Sequence, residues 1–327
     1  ILAQAILVQG PSPFWHKSPA QPRRFSLAAI ARRPGGAPAM PLGFTTKYCV
    51  VEELTDRHVL VVRLNRQKNL NALHLKCHWE LDAVWNYFEA NDDMWVGILT
   101  GNGRAFSAGN DLKASAGIDT DGDGGTFDGL EKGAKMPPSG FGGVTERQAV
   151  KPIVAAVNGV AHGGGFELAL SCDILVASEA ADFALPEVRV GLYAMAGGVV
   201  KLPRLVGYQN AMAMILTGRR VKGAEARAMG IVQELVKEGE DVVAKALEIA
   251  DQINVGNPDA VQASVEVAKR SYAEAQSFLG AMAGQYKTRT HQRWSRGPNM
   301  KEGPLAFSQK RKPNWKSPEP LPAQSKL

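Results

Sequence analysis

Apolar and polar positions alternate in two different styles along this chain. Between Tyr48 and Leu64, two β-rich runs, Cys49 to Leu54 and His58 to Leu64, flank Thr55, Asp56 and Arg57, so a hairpin is expected there. From His74 to Phe88 the apolar residues Leu75, Trp79, Leu81, Trp85 and Phe88 recur mostly every three or four positions, the period of a helix with one buried face. Val96 to Thr100, Ile153 to Val157 and Ile174 to Ala177 read as short strands, with a helix opening at Phe166 to Ser171 between the last two. Strands alternating with helices at this period predict an α/β fold with a largely parallel sheet. Beyond Gly207 the pattern turns mainly helical, over Gln209 to Leu216, Gly223 to Met229, Val242 to Val255 and Asp259 to Met282. That region is expected to cover either a site or a subunit contact.

With 327 residues, 45% apolar and 21% charged, the chain has the profile of an ordinary soluble globular protein of one large domain or two. No apolar run approaches the roughly 20 residues of a membrane-spanning helix, so no membrane span is expected. The net charge of +6 raises nucleic-acid binding as a function class. However, residues 1–39 hold Lys17, Arg23, Arg24, Arg32 and Arg33 with no acid, and so supply +5 of it. The remainder is nearly neutral, and no nucleic-acid partner is expected. Cys49, Cys77 and Cys172 form no CxxC pair, which argues against a disulfide framework or a zinc cluster and for a reducing compartment.

The organisation expected is an extension over 1–39, a core over 40–206, a helical region over 207–311 and a flexible Pro-rich tail over 312–327. The extension has the composition of an organelle transit peptide. It equally fits sequence upstream of a natural start at Met40, and both readings stay open. The terminal Ser325-Lys326-Leu327 is a receptor-read peroxisomal address, so a peroxisomal import receptor is an expected partner and peroxisome is preferred over mitochondrion. Residues 114–141 read as a long Gly- and Asp-rich loop. Asp119, Asp121, Asp123 and Gly124 match the opening of a calcium loop, but Leu130 stands where the bidentate glutamate belongs. His74 and His78 have the i,i+4 spacing of a metal pair without a third partner, so no metal is expected.

Two glycine-bearing strand exits carry the chemistry. The first is Phe106-Ser107-Ala108-Gly109-Asn110-Asp111-Leu112, and the second is Asn158 to Ala169, with Gly163, Gly164 and Gly165 before a helix. Consecutive glycines let backbone approach a ligand, and the following helix aims unpaired N–H groups at it. One such loop is usually only a turn; two aimed at one oxygen would make an oxyanion hole.

The ordered set FSAGNDL, VNGVAHGGGFELALSCD, FALPEVRVGL and AGGVVKLPRLVG resembles the crotonase (enoyl-CoA hydratase/isomerase) family over roughly Tyr48 to Trp315. The resemblance implies a crotonase-type ββα spiral core of two roughly perpendicular sheets, a C-terminal helical region, and assembly as a homotrimer or hexamer. It places the oxyanion amides on Ala108 and Gly164 and the catalytic carboxylates on Glu167 and Glu187. It also implies that coenzyme A is part of an acyl-CoA substrate and that no separate cofactor is needed. Contacts to coenzyme A are expected from Lys68 and Ala72, in the stretch Asn65 to Leu73, from Ala108, Gly109, Asn110, Asp111 and Gly164, and more weakly from Lys310. Outside this frame Glu167 reads as a helix N-terminal acid and Glu187 as a surface turn acid. Possession of both glutamates favours hydration or dehydration of a 2-enoyl-CoA, a hydro-lyase activity of fatty acid metabolism. Δ3,Δ2-enoyl-CoA isomerisation by Glu187 is the alternative, and an RNA-binding protein on this fold is a remote one. The late Glu302 to Phe307 and Lys310 to Trp315 stretches are similar to carnitinyl-CoA dehydratase-like members. Tyr193 and Met195, near a family proline position filled by Ala194, are expected to bear on the acyl pocket.

Overall fold

A computed structural model describes residues 43, 45–119, 121–122, 135–273 and 284–321. The extension over 1–39, residues 123–134 of the Asp-rich loop, the end of the helix expected to reach Met282, and Ser325-Lys326-Leu327 lie outside the described residues.

β1 (Cys49–Leu54) and β2 (Val59–Leu64) pair antiparallel across a 3-10 turn at Thr55–Arg57, as the pattern predicts. α1 (Leu75–Ala90) follows, then β3 (Val96–Gly101), β4 (Ala105–Ser107) and the single turn α2 (Leu112–Ser115). The unit repeats as β5 (Ile153–Val157), β6 (Val160–His162) and α3 (Gly164–Ala169), and again as β7 (Ile174–Ser178), β8 (Asp182–Ala184) and a 3-10 turn at Glu187–Val190. Then come α4 (Gly198–Val206), α5 (Tyr208–Thr217), β9 (Val221–Lys222), α6 (Gly223–Ala228) and β10 (Glu234–Val236). The chain continues through α7 (Val242–Asn254), α8 (Pro258–Ala273), α9 (Arg289–Arg296) and α10 (Asn299–Ser308).

The five strands of five or six residues belong to one sheet, which the short β10 extends, and the other short strands form a second. The orders are β1-β2-β3-β5-β7-β10 and β4-β6-β8-β9, parallel except at β1–β2 and β8–β9. This is the ββα spiral. The corner between β3 and β4 needs a glycine, because a Cβ on Gly101 would sit 2.2 Å from Ala105 O. The inner strands β2, β3, β5 and β7 of the larger sheet are buried on both faces, and the period of two sorts their residues. Leu60, Val62 and Leu64 of β2 join a core with Trp85 and Phe88 of α1, while Val59 and Val61 face Val243, Ala246 and Ala250 of α7.

The tail expected to be flexible from 312 is instead docked as far as it is described, to Leu321. Trp315 Nε1 donates to Val255 O (2.9 Å), Lys316 N donates to Asn299 Oδ1 (2.9 Å), and Arg293 reaches Glu319 O (3.1 Å). Arg293 is itself ion-paired with the buried Asp259 (2.8 Å). Polar backbone in a Pro-rich segment is satisfied here by side chains of α9 and α10, a pairing that local composition does not encode. Trp315→Ala is expected to lower the unfolding free energy by about 2 kcal/mol, less than a fully buried tryptophan would cost. Proteolytic cleavage between Lys312 and Leu321 should rise with it; denaturant melts with limited proteolysis check both.

Candidate active site

The two glycine-bearing loops pack backbone against backbone. A Cβ on Gly165 would lie 2.1 Å from Ser107 O, and one on Gly109 would lie 2.8 Å from Gly164 N and 2.6 Å from His162 O. Gly163 adopts φ 54° and ψ −128°, a conformation open essentially to glycine alone, and this turns the chain from β6 into α3. The Phe141 ring covers Gly164, held by a turn whose Gly142 N–H donates to His78 Nδ1 (3.0 Å). Burial depresses His78 to about 3, so the ring is neutral and accepts that bond. The His74/His78 pair is therefore core rather than metal ligand.

Hydrogen bonding within the first loop decides which amide is available. Ala108 N–H donates to Leu70 O (2.9 Å), Gly109 N–H to Ser107 Oγ (3.1 Å) and Asp111 N–H to Leu73 O (2.9 Å). Ala108, expected as an oxyanion donor, is therefore committed elsewhere. Between Ala108 and Asp111, Asn110 N–H is the amide without a partner among the described residues, and Gly164 N–H at the start of α3 likewise has none. The bracket is local physics. Leu73 N–H donates to Gly109 O (2.8 Å) while its carbonyl accepts from Asp111, a parallel bridge that leaves the residue between them facing the other way.

Both glutamates are gathered beside these amides. Glu167, on the first turn of α3, is 3% exposed, and its Oε1 accepts from Gly198 N (2.8 Å) at the start of α4. Burial pushes it up to about 7 against the amide bonds from Gly198 and Ala196, with Glu187 adding repulsion. A Cβ on Gly198 would lie 2.9 Å from Ala194 Cβ and 3.1 Å from Glu167 Oε1, so a larger residue would push these neighbours aside. Glu187 opens its 3-10 turn. Its two carboxyl oxygens are buried without a hydrogen-bond partner among the described residues, and burial raises its pKa. A Cβ on Gly163 would stand 3.2 Å from Glu187 Oε1, so this acid borders the turn that leads into α3. Lys201 Nζ donates to Ser171 Oγ (2.6 Å) and Thr145 O (3.1 Å), and Ser171 Oγ donates to Glu167 O (2.6 Å), tying α3 to α4.

The remaining expected residues divide. Lys68 is exposed on the Gln67–Asn69 turn and free to meet a charged ligand. Ala72 is buried and lends its carbonyl to Arg66, while the Asp111 carboxylate is taken by Arg66 (2.9 Å) and by Ala114 N (3.1 Å). Lys310 is exposed, while its neighbour Arg311 is paired with Glu302 (2.6 Å). Tyr193 and Met195 point outward at 60% and 63% exposure, and Ala194 packs inward at 3%. Asp121, considered for calcium, binds Arg66 Nε and His74 Nε2, each at 2.8 Å. Cys77 Sγ lies 3.4 Å from His74 Nδ1, which completes the connectivity of a thiol, a base and an acid. The thiol is fully buried and raised to about 12, so no nucleophile results. Asn71 was missed: its Nδ2 donates to Ala105 O (2.7 Å) and Asn102 O (3.0 Å), and it fastens the segment carrying Leu70 and Leu73 to the loop.

Residues 55–318 match the family model described as enoyl-CoA hydratase/isomerase, and the chain belongs to that crotonase family of enzymes. It is 40% identical to a mevalonyl-coenzyme A hydratase of Beauveria bassiana over 79% of this chain and 91% of that protein. A carnitinyl-CoA dehydratase of Escherichia coli O157:H7 is 37% identical over 79% and 95% respectively. Among solved structures, an enoyl-CoA hydratase from Mycobacterium tuberculosis superposes with a TM-score of 0.72 at 31% identity, covering 83% of this chain and 99% of that one.

A glutamate held at about 7, against 4.5 when exposed, favours folding most below about 4.5 and progressively less as pH rises through 7. Glu167→Gln keeps an acceptor for Gly198 N–H and removes that charge. It should therefore raise stability at pH 8 by up to about 3 kcal/mol, with little effect at pH 4; urea titrations at the two pH values check the sign.

Proposed function

We propose that the protein reversibly hydrates a 2-enoyl-CoA thioester. One observation carries this reading: two partner-free amides, Asn110 N–H and Gly164 N–H, lie on loops packed against each other beside two buried, mutually repelling carboxyl groups. Glu167 takes a proton from water as the oxygen adds to Cβ. The π electrons move into the thioester, whose oxygen gains enolate charge between the two amides, and Glu187 gives a proton to Cα. The pair is suited to holding one negative charge near neutrality. Glu167 has amide donors from Gly198 and Ala196 that favour the charged form, while Glu187 has only its own backbone N–H. The relatives named for mevalonyl-CoA and carnitinyl-CoA support an acyl group with a polar end beyond C3, and a short 3-hydroxyacyl-CoA of that type is the proposed product or substrate.

Assembly as a homotrimer or hexamer is proposed with this activity, supported by the exposed apolar run Val188, Val190, Leu192, Tyr193 and Met195.

The test is a panel of crotonyl-CoA, a 3-enoyl-CoA and crotonobetainyl-CoA, followed by loss of the conjugated chromophore and by mass gain from water. Glu167→Gln and Glu187→Gln should each cut hydration about 10²–10⁴-fold. Survival of 3-enoyl conversion in Glu167→Gln, with no hydration by the parent protein, would replace this reading with isomerisation. Because Glu167 must be ionised to accept a proton, kcat/KM for hydration should fall as pH drops below about 7. That acid limb should be absent from the residual rate of Glu167→Gln.

A further inference from the structure

Arg66 is one of the most deeply buried charges in the chain, with 4% of its side chain exposed, and the steps above do not use it. Its guanidinium fork holds three separate pieces of chain. One terminal nitrogen donates to the Asp111 carboxylate (2.9 Å), the other to the Ala72 carbonyl, and Nε to Asp121 Oδ2 (2.8 Å). The same oxygen, Asp121 Oδ2, is also held by His74 Nε2 (2.8 Å). The Arg66 backbone takes part as well, its N–H donating to Asn71 Oδ1 (2.9 Å) and its carbonyl accepting from Asn71 N–H (2.9 Å).

These pieces bracket the candidate donor. Ala72 precedes Leu73, whose N–H and C=O grip Gly109 O and Asp111 N on either side of Asn110. Asp111 is at once the residue after the donor, the cap of α2 and the carboxylate on Arg66. A planar fork fixed by buried acceptors constrains both position and direction, whereas a flexible ammonium fixes neither. We propose that Arg66 is a positioning residue, clamping the Asp111 and Asp121 carboxylates to the Ala72 carbonyl and so aiming Asn110 N–H at the reacting carbonyl; this rests on the hydration reading. The role acts through Asp111 and the Leu73 bridge. It also makes the Asp121 segment, 55 residues away along the chain, part of what orients the donor.

Two variants test it. Arg66→Lys keeps the charge but cannot span two carboxylates and a carbonyl in one plane. Arg66→Met combined with Asp111→Asn removes the more deeply buried ion pair whole and leaves the partly exposed Asp121 to His74. The probe is para-dimethylaminocinnamoyl-CoA, whose absorbance moves to longer wavelength as its thioester carbonyl is polarised. In both variants the red shift seen with the parent protein should fall by about half or more, with Kd for the probe changed less than about threefold. The kcat for crotonyl-CoA should drop about 10- to 100-fold, short of the about 10²- to 10³-fold that loss of an oxyanion donor costs. Amide hydrogen exchange over residues 106–114 should accelerate about tenfold. An undiminished red shift in variants that melt as folded proteins would overturn the proposal. If the parent protein itself gives no red shift, the hydration reading fails. Exchange then decides the clamp, with faster exchange over 106–114 supporting it and unchanged exchange overturning it.

Discussion

Everything chemical in this molecule depends on one close approach of backbone to backbone, where Gly165 meets Ser107 O with no room for a Cβ. That contact brings the exit of β4 against the exit of β6, so two chain reversals from successive turns of the spiral present their amides at one place. The large sheet sets the spacing. β3 and β5 are paired in register from Gly97↔Ile153 to Thr100↔Ala156, and the short strands that leave them pair in turn. The proposed oxyanion site is thus a consequence of the repeat, its spacing set by the hydrogen bonding of the two sheets.

The carboxylates follow from the same arrangement. Glu167 is the fourth residue of the turn that supplies Gly164, and Glu187 follows β8, the neighbour of β6 in the small sheet. Both are raised by burial, but their surroundings differ: Glu167 faces the N-terminal amides of α4, and Glu187 faces the bare Gly163 turn. Two acids of the same type are thereby given unequal preference for charge, which is what a reaction moving one proton to carbon and another from water requires.

Much of the fold was legible in the sequence, because long elements announce themselves by period. The hairpin, α1 and β5 fall where apolar spacing places them. The second sheet is not legible that way, since β4, β6 and β8 have three residues each and alternation cannot register over so few positions. The glutamates stood out only through family resemblance, for a lone acid at a helix start has a sufficient reason to be there without catalysis. The choice of Asn110 over Ala108 was hidden for another reason. It depends on carbonyls at Leu70 and Leu73, more than thirty residues away, and no reading of the loop itself reveals which of its amides they occupy. The docking of residues 312–321 was masked by composition, since Pro-rich text looks the same whether its backbone meets water or Asn299 and Arg293.

The most direct measurement is the infrared carbonyl stretch of a thioester carrying ¹³C at its carbonyl carbon, bound to the parent protein and compared with the same compound in water. Two amides converging on that oxygen predict a clear shift to lower frequency on binding. A bound carbonyl that absorbs as it does in water would contradict the account, whatever else the protein were found to do.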